Sequence, residues 1–135
     1  MGKGMTFYKV PRHHKKAGQC WRYALACILN MSPKKVPNFV RNNSKDDDDR
    51  TRKWLKTHNK SMVYLPINLF MEVGINRANP LGGPDGYSIM IITTTDPKED
   101  HAVIAKDGKF CYDPNTASIS EDFQHPIGFY LIHDV

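Results

Sequence analysis

No stretch of this 135-residue sequence approaches the roughly 18 consecutive apolar residues that a membrane-spanning helix needs. No membrane partner is therefore expected. Cysteine is scarce as well: three residues, an odd number, with no Cys-x-x-Cys pair. That count makes a poor disulfide framework, so three reduced thiols are expected. The one group resembling metal ligands, His13, His14 and Cys20, lacks the paired spacing of a zinc site. Neither a metal site nor a cofactor is expected. The opening MGKGMTFYKVPRHHKK has no apolar stretch of the kind a secretory signal carries, which points to a cytoplasmic protein. Repeats and low-complexity tails are missing too. The length suits one hydrophobic core, so residues 1–135 are read as a single domain.

Acidic residues are rare in the first part of the chain. Residues 1–60 hold 15 of the 19 Lys+Arg and four of the 14 Asp+Glu, a net of +11, whereas residues 61–135 have a net of −6. Such a split suits either an anionic partner on one face or two portions that attract each other within one fold. The basic half could contact nucleic acid. However, no DNA- or RNA-reading motif is present, and the aromatic residues do not interleave with the basic ones as a stacking platform requires.

Local patterns give an order of elements. MTFYKV (5–10) is a strand-like or extended lead-in that Pro11 closes. From Gln19, Trp21, Ala24, Leu25 and Ile28 fall at i, i+3, i+4 and i+7, one apolar helical stripe. Ser32-Pro33 predicts a cap and a short helix through Val36. Residues 42–60 are read as a surface helix capped by Ser44, with Asp46 to Asp49 placed to suit the positive end of its dipole. The same DDDD run also has the look of a metal cluster, but a solvated helix start is the simpler reading. SMVYL (61–65), YSIMIITTT (87–95), HAVIA (101–105), KFCYD (109–113) and IGFYLIHD (127–134) are rich in β-branched and aromatic residues and predict strands. NPLGGPDG (79–86) and TDPKED (95–100) are read as turns or loops. Helices followed by strands imply an α+β domain, with N-terminal helices packed on a mostly antiparallel sheet. Cys27 and Cys111 lie in apolar patterns and are expected in the core, as is Trp21. His58, His125 and His133 are expected in surface or loop positions.

Cys20 occupies the first turn of the first helix, at the edge of its apolar stripe. Unpaired N–H groups and the positive dipole end at such a place favour a thiolate, and the same N–H groups can hold an oxyanion. A nucleophile also needs a base, and the base needs an orienting group. His101 opens an apolar strand, and Asp113 ends the strand that returns from the KDG turn. Two hairpin registers suit these residues. A two-residue Asp107-Gly108 turn pairs Lys106 with Lys109 and sends Asp113 to the face opposite His101. A three-residue Lys106-Asp107-Gly108 loop with Gly108 in a left-handed bulge sets His101 directly across from Asp113. A Cys-His-Asp site requires the second, and the first would count heavily against it.

A cysteine at the start of the first core helix, a strand opening His-Ala-Val and a returning strand ending Asp-Pro together resemble the papain-like cysteine peptidase superfamily. GQCWRYALACILNMSPKKVPNF is similar to its first helix and the Ser-x-x-x-Val-Pro-x-Phe continuation. The nearest likeness is to small bacteriocin-leader-peptidase-like domains and to minimal versions from bacteria and bacteriophages, and it runs from about Gly18 to Pro114. The resemblance implies a papain-like minimal fold and a thiol hydrolase (a peptidase, amidase or isopeptidase) working through a thioester. It implies Cys20 as nucleophile, His101 as general base and acid, and Asp113 as orienting residue, with Asn115 as the weaker choice for that third role. The family's oxyanion-hole glutamine stands six residues before the cysteine. Here that position is His14, and either His14 or the neighbouring Gln19 would have to replace it. A peptide or protein substrate follows, in the host cytoplasm if the chain is phage-encoded. An inactive scaffold that blocks a host protein is the alternative within the same resemblance.

Overall fold

The computed structural model describes residues 5–10, 19–39, 46–67, 86–93, 100–114 and 126–135. They form an α+β arrangement: helix α1 (Gln19–Leu29), a 3-10 turn (Pro33–Lys35), helix α2 (Asp47–Lys56) and strands β1 (Lys60–Pro66), β2 (Tyr87–Thr93), β3 (Asp100–Lys106), β4 (Lys109–Tyr112) and β5 (Pro126–Asp134). The five strands make one sheet in the order β1-β5-β2-β3-β4, with every adjacent pair antiparallel. The helices-then-sheet order read from the sequence holds.

Helix α1 runs where its apolar stripe begins and stops at Asn30, which takes a left-handed φ of +53°. Asn30 N–H bonds back to Cys27 C=O and Met31 N–H to Ala26 C=O, the paired reverse bonds that satisfy a helix's last carbonyls. Ser32 then caps the 3-10 turn by accepting from Lys34 N–H. Helix α2 is shorter than the segment 42–60 predicted. It starts at Asp47 with Asp46 in the cap position, and Ser44 lies outside the described residues. It is also not wholly a surface helix, because Thr51 and Leu55 are fully buried on its inner side. Asp100 belongs to β3, not to a preceding loop, since it pairs with Thr93.

Between the helices and the sheet lies the larger core, with Trp21, Ala24, Leu25 and Cys27 from α1 against Ile89, Ala102 and Ile104, and with Leu55 from α2 near Met62. Met90, Ile92, Val103, Ala105 and Phe129 form a second cluster on the opposite strand face. The central strands β2 and β3 are thus buried on both sides, which explains their unbroken apolar runs. Two hydrogen bonds tie α2 inward: Trp21 Nε1–H donates to Thr51 Oγ1 at 3.2 Å, and Tyr130 O–H donates to Asp48 Oδ2 at 2.8 Å.

Tyr64 of β1 lies flat across Gly128 of β5, its ring 4.8 Å from that of Tyr130 and its hydroxyl donating to Ile127 C=O. A methyl group on residue 128 would run into the Tyr64 ring. Gly128→Ala is therefore expected to destabilise the fold by roughly 1–3 kcal/mol, the usual cost of overpacking. A denaturant midpoint equal to the wild type's would refute this packing account.

Candidate active site

Three elements converge at one end of the sheet. The first turn of α1 carries Cys20, β3 carries His101 as its second residue, and Asp113 follows the last residue of β4. Helix α1 packs mainly on β3 and next on β2.

The β3–β4 hairpin does not have the three-residue loop that the site was expected to need. Lys106 pairs with Lys109 across a two-residue Asp107-Gly108 turn, with φ of +53° and +81° at its two positions. Both values fit the type I′ geometry that Asp-Gly favours. A contact distant in the chain explains the choice: Asp107 N–H donates to Gly86 C=O at 2.8 Å, and the Asp107 carboxylate accepts from Gly86 N–H at 2.7 Å. The start of β2 thereby locks the turn.

That register alone would aim Asp113 away from His101, but an irregularity reverses it. Ala105 faces Phe110, whereas Ile104 faces Tyr112, so Cys111 is a surplus residue taken up as a β-bulge. One extra residue flips every later side chain, which returns Asp113 to the face of His101. Cys111 is correspondingly exposed, not in the core as its apolar neighbours suggested. Of the two loops the sequence allows, the chain takes the one that counted against the site, and the bulge cancels its consequence for Asp113; nothing in the local sequence announces the bulge.

His101 Nε2 stands 2.8 Å from Asp113 Oδ1. The Asp113 side chain is 1% exposed and that of His101 13%. Cys20 lies near enough to the same ring to raise its pKa. With Nε2 committed to the carboxylate, Nδ1 is the nitrogen left to serve the sulfur. Strand alternation sends His101 to the side of Val103 and Ala105, opposite the Ala102 and Ile104 side chains that carry α1. Burial opposes a charge on the ring, but the bond to Asp113, the bond to Cys20 and the negative charge of both raise the His101 pKa from 6.5 to about 10.

Gln19, half-buried, is the residue before Cys20 in the first turn of α1, while His14 and Asn115 lie outside the described residues. Cys27 is buried two turns along, as expected, and its thiol accepts from Tyr8 N–H at 3.3 Å. Burial pushes that thiol's pKa up. His58 is exposed and its ring lies 4.5 Å from that of Trp54; His133 is exposed, and His125 is outside the described residues. Among the described residues no group of three His, Cys, Asp or Glu side chains could hold a metal ion. The acidic run is used otherwise: Asp47 pairs with Arg50 and Asp48 accepts from Tyr130. No helix of the described residues is long and apolar enough to cross a membrane. Two arginines of the basic half are spent internally, Arg22 on the carbonyls of Pro33 and Val36 and Arg50 on that of Phe39. Comparison with family models, curated proteins and solved structures gave no match to this chain.

Two predictions follow from this geometry. Because Cys111 is absorbed and not used, deleting it leaves Tyr112 opposite Ile104 and Asp113 on the side of His101. The deletion variant is expected to keep a strongly raised imidazole pKa by NMR titration; a ring titrating near 6.5 would show that Asp113 had left it. The second concerns pH. A folded-state pKa above the unfolded one means that the native state binds the extra proton, so stability falls as pH rises. The contribution of the charged ring is complete below about pH 6.5 and is lost on approaching pH 10. The stability gap between wild type and His101→Gln, from urea unfolding, is expected to narrow across that window. A gap that stays constant or widens would contradict it.

Proposed function

We propose that this chain is a thiol hydrolase with a papain-like minimal fold, cleaving an amide or isopeptide bond in a peptide or protein through a thioester. The observation that carries the reading is one imidazole shared by a helix-start thiol and a buried carboxylate. The α+β order and the helix–sheet contact through β3 are consistent with it.

In this mechanism His101, already charged at neutral pH, holds the proton given up by Cys20, and the sulfur attacks the carbonyl carbon of the substrate. The carbonyl oxygen becomes an oxyanion facing the unpaired N–H groups of the first turn of α1, where the dipole favours negative charge. Gln19, the residue before Cys20, would add a donor from its side chain. His101 then passes its proton to the leaving nitrogen, the C–N bond breaks and an acyl-Cys20 thioester remains. Water attacks next, giving a proton to His101, and the collapse of the second tetrahedral intermediate releases a carboxylic acid and returns the thiol. Asp113 keeps the ring oriented and stabilises its charged form throughout. Attack by an amine in place of water would make the same site an acyl transferase.

The chain carries an internal comparison thiol. Cys111 is exposed but burial raises its pKa, so activation of Cys20 is read against both Cys111 and a small free thiol. Iodoacetamide at neutral pH is expected to label Cys20 ahead of Cys111, with peptide mass mapping as the readout. His101→Gln is expected to slow Cys20 by roughly 10²-fold or more, the scale of positioned acid–base assistance. Equal labelling of the two thiols would overturn the hydrolase reading. Binding of DNA or RNA that weakens steeply with salt and survives Cys20→Ala would then favour a non-enzymatic role for the basic half.

A further inference from the structure

Asp113 lies beyond the last residue of β4, where the ladder no longer holds the chain. The next residue, Pro114, has no N–H to give. Its carbonyl instead accepts from Val10 N–H at 2.7 Å, and Val10 is fully buried. Three residues earlier, the Phe7 ring lies 4.9 Å from that of Tyr112, the last residue of β4. Between these two contacts, Tyr8 N–H donates to the Cys27 thiol of α1. Residues 5–10 therefore touch both the helix that bears the thiol and the strand end that bears the carboxylate. They form no strand of their own; these contacts hold them, together with the packing of Met5 and Tyr8 on the core and of Phe7 on Tyr87.

We infer that residues 5–10 are a brace for the site, and that Val10 is a positioning residue which, through Pro114, holds Asp113 against His101. This rests on the triad reading but adds to it a main-chain group that neither the residue types nor the motif order point to. Loss of the brace would let the main chain at Asp113 shift relative to His101. The ring would then lose the partner that keeps it oriented toward the sulfur. The Cys27 thiol gains an explanation too: it is a buried acceptor that anchors the brace to α1, not a second nucleophile.

Val10→Pro removes the N–H while keeping an apolar side chain, and Val10→Ala keeps the N–H. Val10→Pro is expected to lower the NMR titration midpoint of His101 and to slow Cys20 alkylation by roughly ten- to a hundredfold, the scale set by misplacements of about 1 Å. Val10→Ala is expected to restore most of both. If the brace acts through Asp113, Val10→Pro combined with Asp113→Asn is no worse than Asp113→Asn alone, the non-additivity of two changes in one interaction. A folded Val10→Pro protein with wild-type titration and alkylation, or effects that multiply in the double variant, would overturn the inference. Should Val10→Pro not fold, hydrogen exchange on the wild type decides: the Val10 amide is expected to exchange as slowly as those of β3, and exchange at the rate of an exposed amide refutes the brace. The titration readout keeps the two proposals apart, because a Cys20 no more reactive than Cys111 would sink the hydrolase reading while the His101 midpoint still reports the brace.

Discussion

The buried carboxylate of Asp113 sets the terms for everything around it. A charged oxygen pair removed from water costs several kcal/mol unless cationic or hydrogen-bonding partners surround it. His101 is one such partner at 2.8 Å, and its ring is pushed toward the charged state by the contact. Rotation of the imidazole would break this contact. A fixed ring presents one nitrogen in a fixed direction, and the first turn of α1 brings a sulfur to it. The dyad is local, built by one hairpin of about a dozen residues, whereas the thiol arrives only when helix and sheet pack. The arrangement thus depends on the core between α1 and β3.

Much of this was legible in the sequence. The apolar stripe from Trp21 to Ile28 located α1, the β-branched runs located all five strands, and the order of Cys20, His101 and Asp113 pointed at the three side chains that meet. The hairpin register was not legible, for a definite reason. Asp-Gly suits both a two-residue turn and a longer bulged loop, and the deciding bonds come from Gly86, 21 residues before Asp107. Turn preference is a local signal, but this choice was settled by a neighbouring strand. The Cys111 bulge is harder still. Its cause is a mismatch of one residue between what the turn fixes at Lys109 and what the core wants at Tyr112, and a single strand carries no mark of such a mismatch.

The charge pattern was legible in part. Asp46 to Asp49 do open a helix, where the dipole welcomes them. What the pattern hid was a division of labour among neighbours: Asp47 answers Arg50, while Asp48 reaches across to Tyr130 on β5. Arg22 and Arg50 likewise satisfy carbonyls of the segment between the helices. Part of the basic excess is therefore structural mortar, which weakens a polyanion reading that counts every cation as free. Side-chain–backbone bonds of this kind hold residues 33–39, which follow α1.

Cys20 and Cys27 lie seven residues apart, on nearly one line of the same helix, and face different chemistry. Seven residues are almost two full turns, so the side chains leave α1 in similar directions about 10 Å apart. Cys27 falls where the N–H groups are already bonded within the helix and the surroundings are apolar; burial raises its pKa and the thiol serves as an acceptor for Tyr8. Cys20 falls where the first-turn N–H groups have no partner within the helix and a charged imidazole stands alongside. Exchange of the two environments along α1 would exchange the two roles. The contrast between Cys20 and Cys27 is one of position on the backbone; the third thiol, Cys111, is exposed on a bulge, and burial raises its pKa as well.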